Sequence, residues 1–202
     1  MTDDIKATED SRAAEVSEAT EDNEPIQEEI AALNAQAQAH LGDGDWEEGV
    51  ACYEQVIALA EEAEDASAEA EARNNLASVY LATENWARAQ TYAEEARKMY
   101  QDLDDRAAEA VALNNLAASS NGQGDWQAAM DQYREALALR EALDDAEGQA
   151  KTLQNLAVLY ARHGNRNRAR VFLNRAMAQA RKSGSRPLRA SIRRLMSQLP
   201  RR

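Results

Sequence analysis

Only one of the 202 residues is cysteine, so no internal disulfide can form and a cysteine-built metal site is not expected. The expected role of Cys52 is that of a small buried apolar residue. Three prolines and eight glycines leave long stretches without a breaker, which favours helices. Aromatic residues make up 5% of the chain, and alanine supplies much of its 44% hydrophobic content. A core must therefore come from small residues that let helices approach closely. No apolar run is long enough to span a membrane. The opening residues, MTDDIKATED, are acidic and carry no apolar run, so no secretory signal is expected, and a cytoplasmic location follows as the expectation.

Charge of one sign is missing from the end of the chain. Residues 148–202 hold 14 of the 23 basic residues and no Asp or Glu, whereas residues 1–147 hold all 36 acids and sum to −27. Residues 1–25 contain nine acids, two bases and few large apolar side chains. Burial cannot offset the entropy of ordering them, so an acidic disordered tail is expected there.

Catalytic patterns are missing too. The two histidines, His40 and His163, have no histidine partner at ligand spacing, and no Gly-rich phosphate loop, GxSxG or HExxH occurs. The GDGD at 42–45 lacks the twelve-residue loop and closing Glu of a calcium site. Neither an enzyme nor a bound cofactor or metal is expected.

What is present is a phrase repeated every forty residues: NNLASVYLATENW from Asn74, NNLAASSNGQGDW from Asn114 and QNLAVLYARHGNR from Gln154. Trp46, Trp86 and Trp126 share a column that Arg166 breaks, and Gly44, Gly124 and Gly164 share one that Glu84 breaks. Leu76, Leu116 and Leu156 align, as do the helix N-cap types Asp65, Asp105, Asp145 and Ser185. A fixed period of this length marks a repeat array. Each unit is expected to be two helices joined by a short turn, and because one hairpin cannot bury its apolar faces alone, the units must stack. The expected units are 26–65, 66–105, 106–145 and 146–184. A basic helix over 185–202, with Leu188, Ile192, Leu195 and Leu199 as its apolar stripe, would cap the last.

These columns resemble tetratricopeptide repeats. The match rests on Ala77/Ala117/Ala157, Tyr80/Tyr160, the turn glycines, Ala89/Ala129/Ala169 and Val56/Ala96/Ala136/Ala176. The forty-residue period, opened by NNLA and closed by LDD, is similar to the longer-helix subclass of kinesin light chains and the LGN/Pins adaptors. Departures are Gly49 in place of the second-helix alanine, and His40 and Ser120 in place of the tyrosine, which predicts a softer end to the first helix of the third unit. The resemblance implies an all-α, right-handed α-solenoid of four helix-turn-helix units plus a C-terminal capping helix. It also implies a non-enzymatic adaptor or scaffold, whose first helices line a concave groove for a peptide or helical segment of a partner protein.

Asn75, Asn115 and Asn155 sit one residue before the core leucine, beside the buried stripe rather than opposite it. Packed helices lie about 8–10 Å apart and an extended peptide rises about 3.3 Å per residue, so the row of amides matches every third residue of a peptide laid across it. An amide donates and accepts, and can hold a main chain without choosing its sequence. Similar repeats use asparagine in this way. The competing reading has these amides bonding between repeats. The preceding column, Asn74, Asn114 and Gln154, is expected to be a polar flank, and the Trp column to pack at the turn. Ser78 and Lys151 occupy nearby groove columns; only Lys151 would serve a cationic clamp, so an acidic C-terminal motif is not the expected ligand.

The basic end has its own readings. An acidic protein partner or head-to-tail self-association ranks first, with Arg162, Arg166, Arg170, Arg189 and Arg193 as contacts. The alternative function is nucleic-acid or anionic-surface binding by the basic end, masked by the acidic tail. Nucleic acid ranks lower because aromatic interleaving is absent, and a membrane surface lower still.

Overall fold

The computed structural model describes residues 24–199, and the expected acidic tail lies outside them apart from its last two residues, which are helical. Nine helices occur among the described residues and no strand: α1 (24–43), α2 (Trp46–Glu62), α3 (Ala66–Ala82), α4 (Trp86–Asp102), α5 (Arg106–Gly122), α6 (Trp126–Ala142), α7 (Ala146–Arg162), α8 (Arg166–Lys182) and α9 (Arg186–Gln198). From α2 to α8 every helix has 17 residues, joined by three-residue connections, and two such steps make the forty-residue period.

One local device sets that metre. The last residue but one of each connection has positive φ: Gly44, Gly124, Gly164 and Gly184, but Glu64, Glu84, Asp104 and Asp144 in the others. Except at Ser185, whose N–H donates to Ser183 Oγ, the next residue donates its N–H five residues back, as in Asp65 to Ala60 and Asn85 to Tyr80, both at 2.8 Å. This is a Schellman closure. The same residue then caps the following helix: the side chains of Asp65, Asn85, Asp105, Asp125, Asp145 and Asn165 each accept a backbone N–H from the first turn. Stop and start signals are thus compressed into one residue. Ser185 departs from expectation. It holds the N-cap position of α9, but its side chain caps nothing, and Pro187 in the first turn removes a donor that would need a cap. Left-handed backbone costs a non-glycine residue about 1 kcal/mol. Glu84→Gly, at φ 58, is therefore expected to raise stability by about that amount in urea unfolding followed by circular dichroism.

The chain forms two compact units, Met1–Ala72 and Arg73–Arg202, divided within α3. In the first, Ile30, Leu33, Val56, Ala60 and Ala72 make the core, and Cys52 is buried and free. Gly49 has a reason here: a Cβ would lie 2.6 Å from a methyl carbon of Leu41.

In the second, the alanine columns fulfil their role as contact residues. Ala77, Ala117, Ala89, Ala129, Ala169, Ala96, Ala136 and Ala176 are all 0% exposed. Ion pairs tie α4 to α6 (Arg97 with Glu135) and α6 to α8 (Glu141 with Arg175, 3.4 Å). Two hairpins carry the same stack: Arg88 over Tyr80 on Tyr92, and Arg168 over Tyr160 on Phe172. The hairpin between them has Ser120, Ala128 and Gln132 at these positions and lacks the stack, although α5 keeps its full length. Along α9, Leu188 and Ile192 are buried, and Leu195, Met196 and Leu199 pack on the same cluster.

Candidate functional site

The first helix of each repeat presents one face at spacings of four, three and four residues. On α7 that face carries Lys151, Asn155, Val158 and Arg162; on α5, Val111, Asn115, Ala118 and Gly122; on α3, Asn75, Ser78 and Ala82 follow the same spacing. Its end residues are exposed and its middle half-buried on α5 and α7, as for a lined surface.

The column preceding these asparagines is no polar flank. Asn74 is 8% exposed, and its Oδ1 accepts from Asn115 Nδ2 at 2.9 Å. Asn114 Nδ2 donates to Thr152 Oγ1 at 3.1 Å, and Gln154 Nε2 to Ser191 Oγ at 3.2 Å. These amides, buried at Asn74 and half-buried at Asn114 and Gln154, are rungs that tie α3 to α5, α5 to α7 and α7 to α9. Position in the period predicted the column, but which of two adjacent amides turns inward depends on helix rotation that one sequence does not set.

The groove column divides. Asn115 donates to Asn74 and to Ser78 Oγ at 3.1 Å, so its NH2 is occupied between repeats while its Oδ1 accepts no bond from a described residue. Ser78 in turn donates to the Asn74 carbonyl. Asn75 and Asn155 are half-buried and their amides bond to no described residue. Lys151 is exposed and pairs with Glu147 at 2.8 Å.

Two cavities open on this face. One, of about 260 Å³, lies between α5 and α7 and is lined by Trp86, Ala118, Tyr133, Asn155, Val158 and Arg162 among others. The other, of about 420 Å³, lies between α7 and α9 over Val158, Arg162, Arg166, Leu173, Leu195 and Leu199. Arg162 and Arg166 are exposed and make no ion pair among the described residues. Arg189 is half-buried and Arg193 exposed, both on α9 and away from these cavities; Arg170, also exposed, lies on α8. Trp86 packs on Gly122, where a Cβ would run into its ring, and Trp126 lies against His163 at 5.3 Å between ring centroids. Sequence reasoning missed Tyr133, Leu173, Leu195 and Leu199 as cavity walls. Adding forty to Asn155 and to Leu159 would have found the last two.

The titrating groups are structural. Burial pushes the Tyr133 hydroxyl up to about 12, slightly opposed by Arg162. Burial, then the nearby Glu71 and Cys52, raises Tyr53. Among the described residues no group of three or more His, Cys, Asp and Glu could hold a metal ion, and no helix is long and apolar enough to cross a membrane.

Known proteins can be set beside this geometry. Aspartyl phosphate phosphatase F from Bacillus subtilis is similar in structure at a TM-score of 0.75 and 14% identity, over 83% of this chain; the chain spans 44% of its length. BtubC (BKLC) from P. vanneervenii is similar at 0.68 and 22%, over 95% of this chain and 93% of that one. The putative kinesin light chain TPR-like repeats of Podosopora anserina are similar at 0.62 and 20%, over 77% and 76%. At these identities the likeness is one of fold. No curated protein matches the chain by sequence. The sequence model described as Tetratricopeptide repeat matches residues 28–102 and 108–182, most of the chain. Repeat period, paired helices, buried alanine columns and this match agree: the chain belongs to the tetratricopeptide repeat family.

Proposed function

We infer that this chain is an adaptor or scaffold that holds an extended segment of another protein across the open face of α3, α5 and α7. Tetratricopeptide repeats are a protein-interaction fold rather than a catalytic one. The observation that carries the finer reading is the pair Asn75 and Asn155, half-buried on one face with amides that no described residue uses. A half-buried amide without a partner loses hydrogen bonding that a peptide main chain can supply, one N–H and one C=O at a time. Asn115 contributes only its free Oδ1, because its NH2 already bridges to Asn74 and Ser78.

This division sharpens the test. Asn75→Ala with Asn155→Ala removes the two free amides and leaves the bridge intact. Helix content and unfolding midpoint are expected to stay near wild type, since substitutions away from buried contacts shift stability by about 0.5 kcal/mol or less. In affinity capture from native lysate at moderate salt, a protein retained by wild type and lost by the double variant supports the groove. Capture of the same proteins by both baits removes it.

A further inference from the structure

The cavity between α7 and α9 is the cavity between α5 and α7 moved along the chain by one repeat. Ala118, Gly122 and Asn155 of the first occupy the repeat positions of Val158, Arg162 and Leu195 of the second. Tyr133 walls one where Leu173 walls the other, and Val158 and Arg162 belong to both. The cavities are therefore two copies of one subsite that share a wall, and the shared wall carries a guanidinium.

That guanidinium is available. Arg162 is exposed and has no ion pair among the described residues, Arg166 stands unpaired beside the second cavity, and residues 148–199 contain no acid to neutralise either. Apart from Gln198 the rest of the second cavity is apolar, with Leu173, Leu195 and Leu199 where the first has Tyr133, Asn155 and Leu159. Packed helices sit about 8–10 Å apart. A polyproline-type extended chain rises about 3.1 Å per residue with three residues per turn, so residues i and i+3 point the same way about 9 Å apart.

We propose that the two cavities are paired subsites for one extended segment of a partner protein, with apolar side chains at i and i+3 in the cavities and a carboxylate between them on Arg162. The proposal rests on the groove reading and adds to it which sequence the groove selects. The asparagines hold the main chain, and Arg162 with its two apolar neighbours discriminates side chains. A carboxylate can take two parallel hydrogen bonds from a guanidinium, which fixes its position as well as its charge.

The test is selection of a displayed library of random dodecapeptides on the full chain, followed by fluorescence anisotropy of the enriched peptides on wild type, Arg162→Glu, Arg162→Lys and Asn75→Ala/Asn155→Ala. The expected result is enrichment of two apolar residues three apart with Asp or Glu between them. Binding is expected to fall at least tenfold in Arg162→Glu and to recover in part in Arg162→Lys. Because Arg162 is exposed and unpaired, these variants should fold, and circular dichroism checks it. Enriched peptides without the acid, or binding indifferent to Arg162→Glu, overturn the selectivity while a loss in the double asparagine variant keeps the groove. Absence of enrichment, or binding unchanged in every variant, overturns both.

Discussion

Asp145→Ala is expected to destabilise Arg73–Arg202 by about 3 kcal/mol, whereas Arg140→Met at the other end of the same ion pair costs far less. Arg140 is 8% exposed, and its Nη1 meets Asp145 Oδ2 at 2.6 Å. Gly148 makes room for the pair, since a Cβ there would collide with both groups. Removing Asp145 leaves a guanidinium buried without its counter-charge, with a buried Nε that already lacks a partner. It also deletes the N-cap of α7, which accepts the Gly148 N–H at 2.9 Å. The estimate sits at the low end for a broken buried pair because the Asp145 side chain is itself 36% exposed. Arg140→Met removes the buried charge and keeps the cap. Urea unfolding of the two variants checks the asymmetry, and equal losses would mean that the pair acts as a surface contact.

Acid should act on the same joints. Burial pushes the Asp145 carboxyl up, but the Gly148 N–H, the Arg140 hydrogen bond and the charges of Arg140 and Lys151 outweigh it and hold it below its ordinary value. The Ala68 N–H does the same for Asp65 against its burial, helped by Gln27 and the Ser67 N–H. A carboxyl depressed in the folded state contributes stability that is complete above its unfolded value, about 3.9. That contribution is lost as pH falls through the lower folded value. Unfolding midpoints are therefore expected to hold steady from neutrality to about pH 5 and to fall below about pH 4. The fall should be shallower in Asp145→Asn.

The fold was legible because each of its signals is local and recurs. The leucine, alanine and tryptophan columns mark helix faces, and the Asp and Asn at the connections mark starts. Those columns, together with the period, carried the resemblance to the family. The left-handed residue before each cap was not legible as such, because Glu84 or Asp104 at positive φ looks like an ordinary surface acid until the chain direction around it is known. The site was legible in part. Its column of asparagines stood out, but Asn74 and Asn75 look alike in sequence, and only packing decides that one is a buried rung and the other an open amide. The cavities were harder to see, because one is built from five helices and the other from three, and Tyr133 or Leu173 enters from the second helix of a repeat.

That distinction yields the sharpest contrast available in one phrase of sequence. Leu156→Ala is expected to cost about 3–4 kcal/mol, and Asn155→Ala beside it about 0.5 kcal/mol or less. Leu156 is 0% exposed within a cluster that includes Ala117, Ala150, Ala157, Ala169 and Ala176. Alanines give such a core little freedom to collapse, since each already holds two backbones at close range, so the cavity left by the leucine stays open. Asn155 faces the open cavity between α5 and α7 and bonds to no described residue. Urea unfolding of the two variants, read beside peptide affinity, separates the roles. Leu156→Ala should lose stability, and binding should fall with it as the repeat loosens. Asn155→Ala should keep its unfolding midpoint and lose affinity alone. A large stability loss in Asn155→Ala would assign that amide to the stack, as packing already assigns Asn74, and would leave Asn75 as the one free amide of its column.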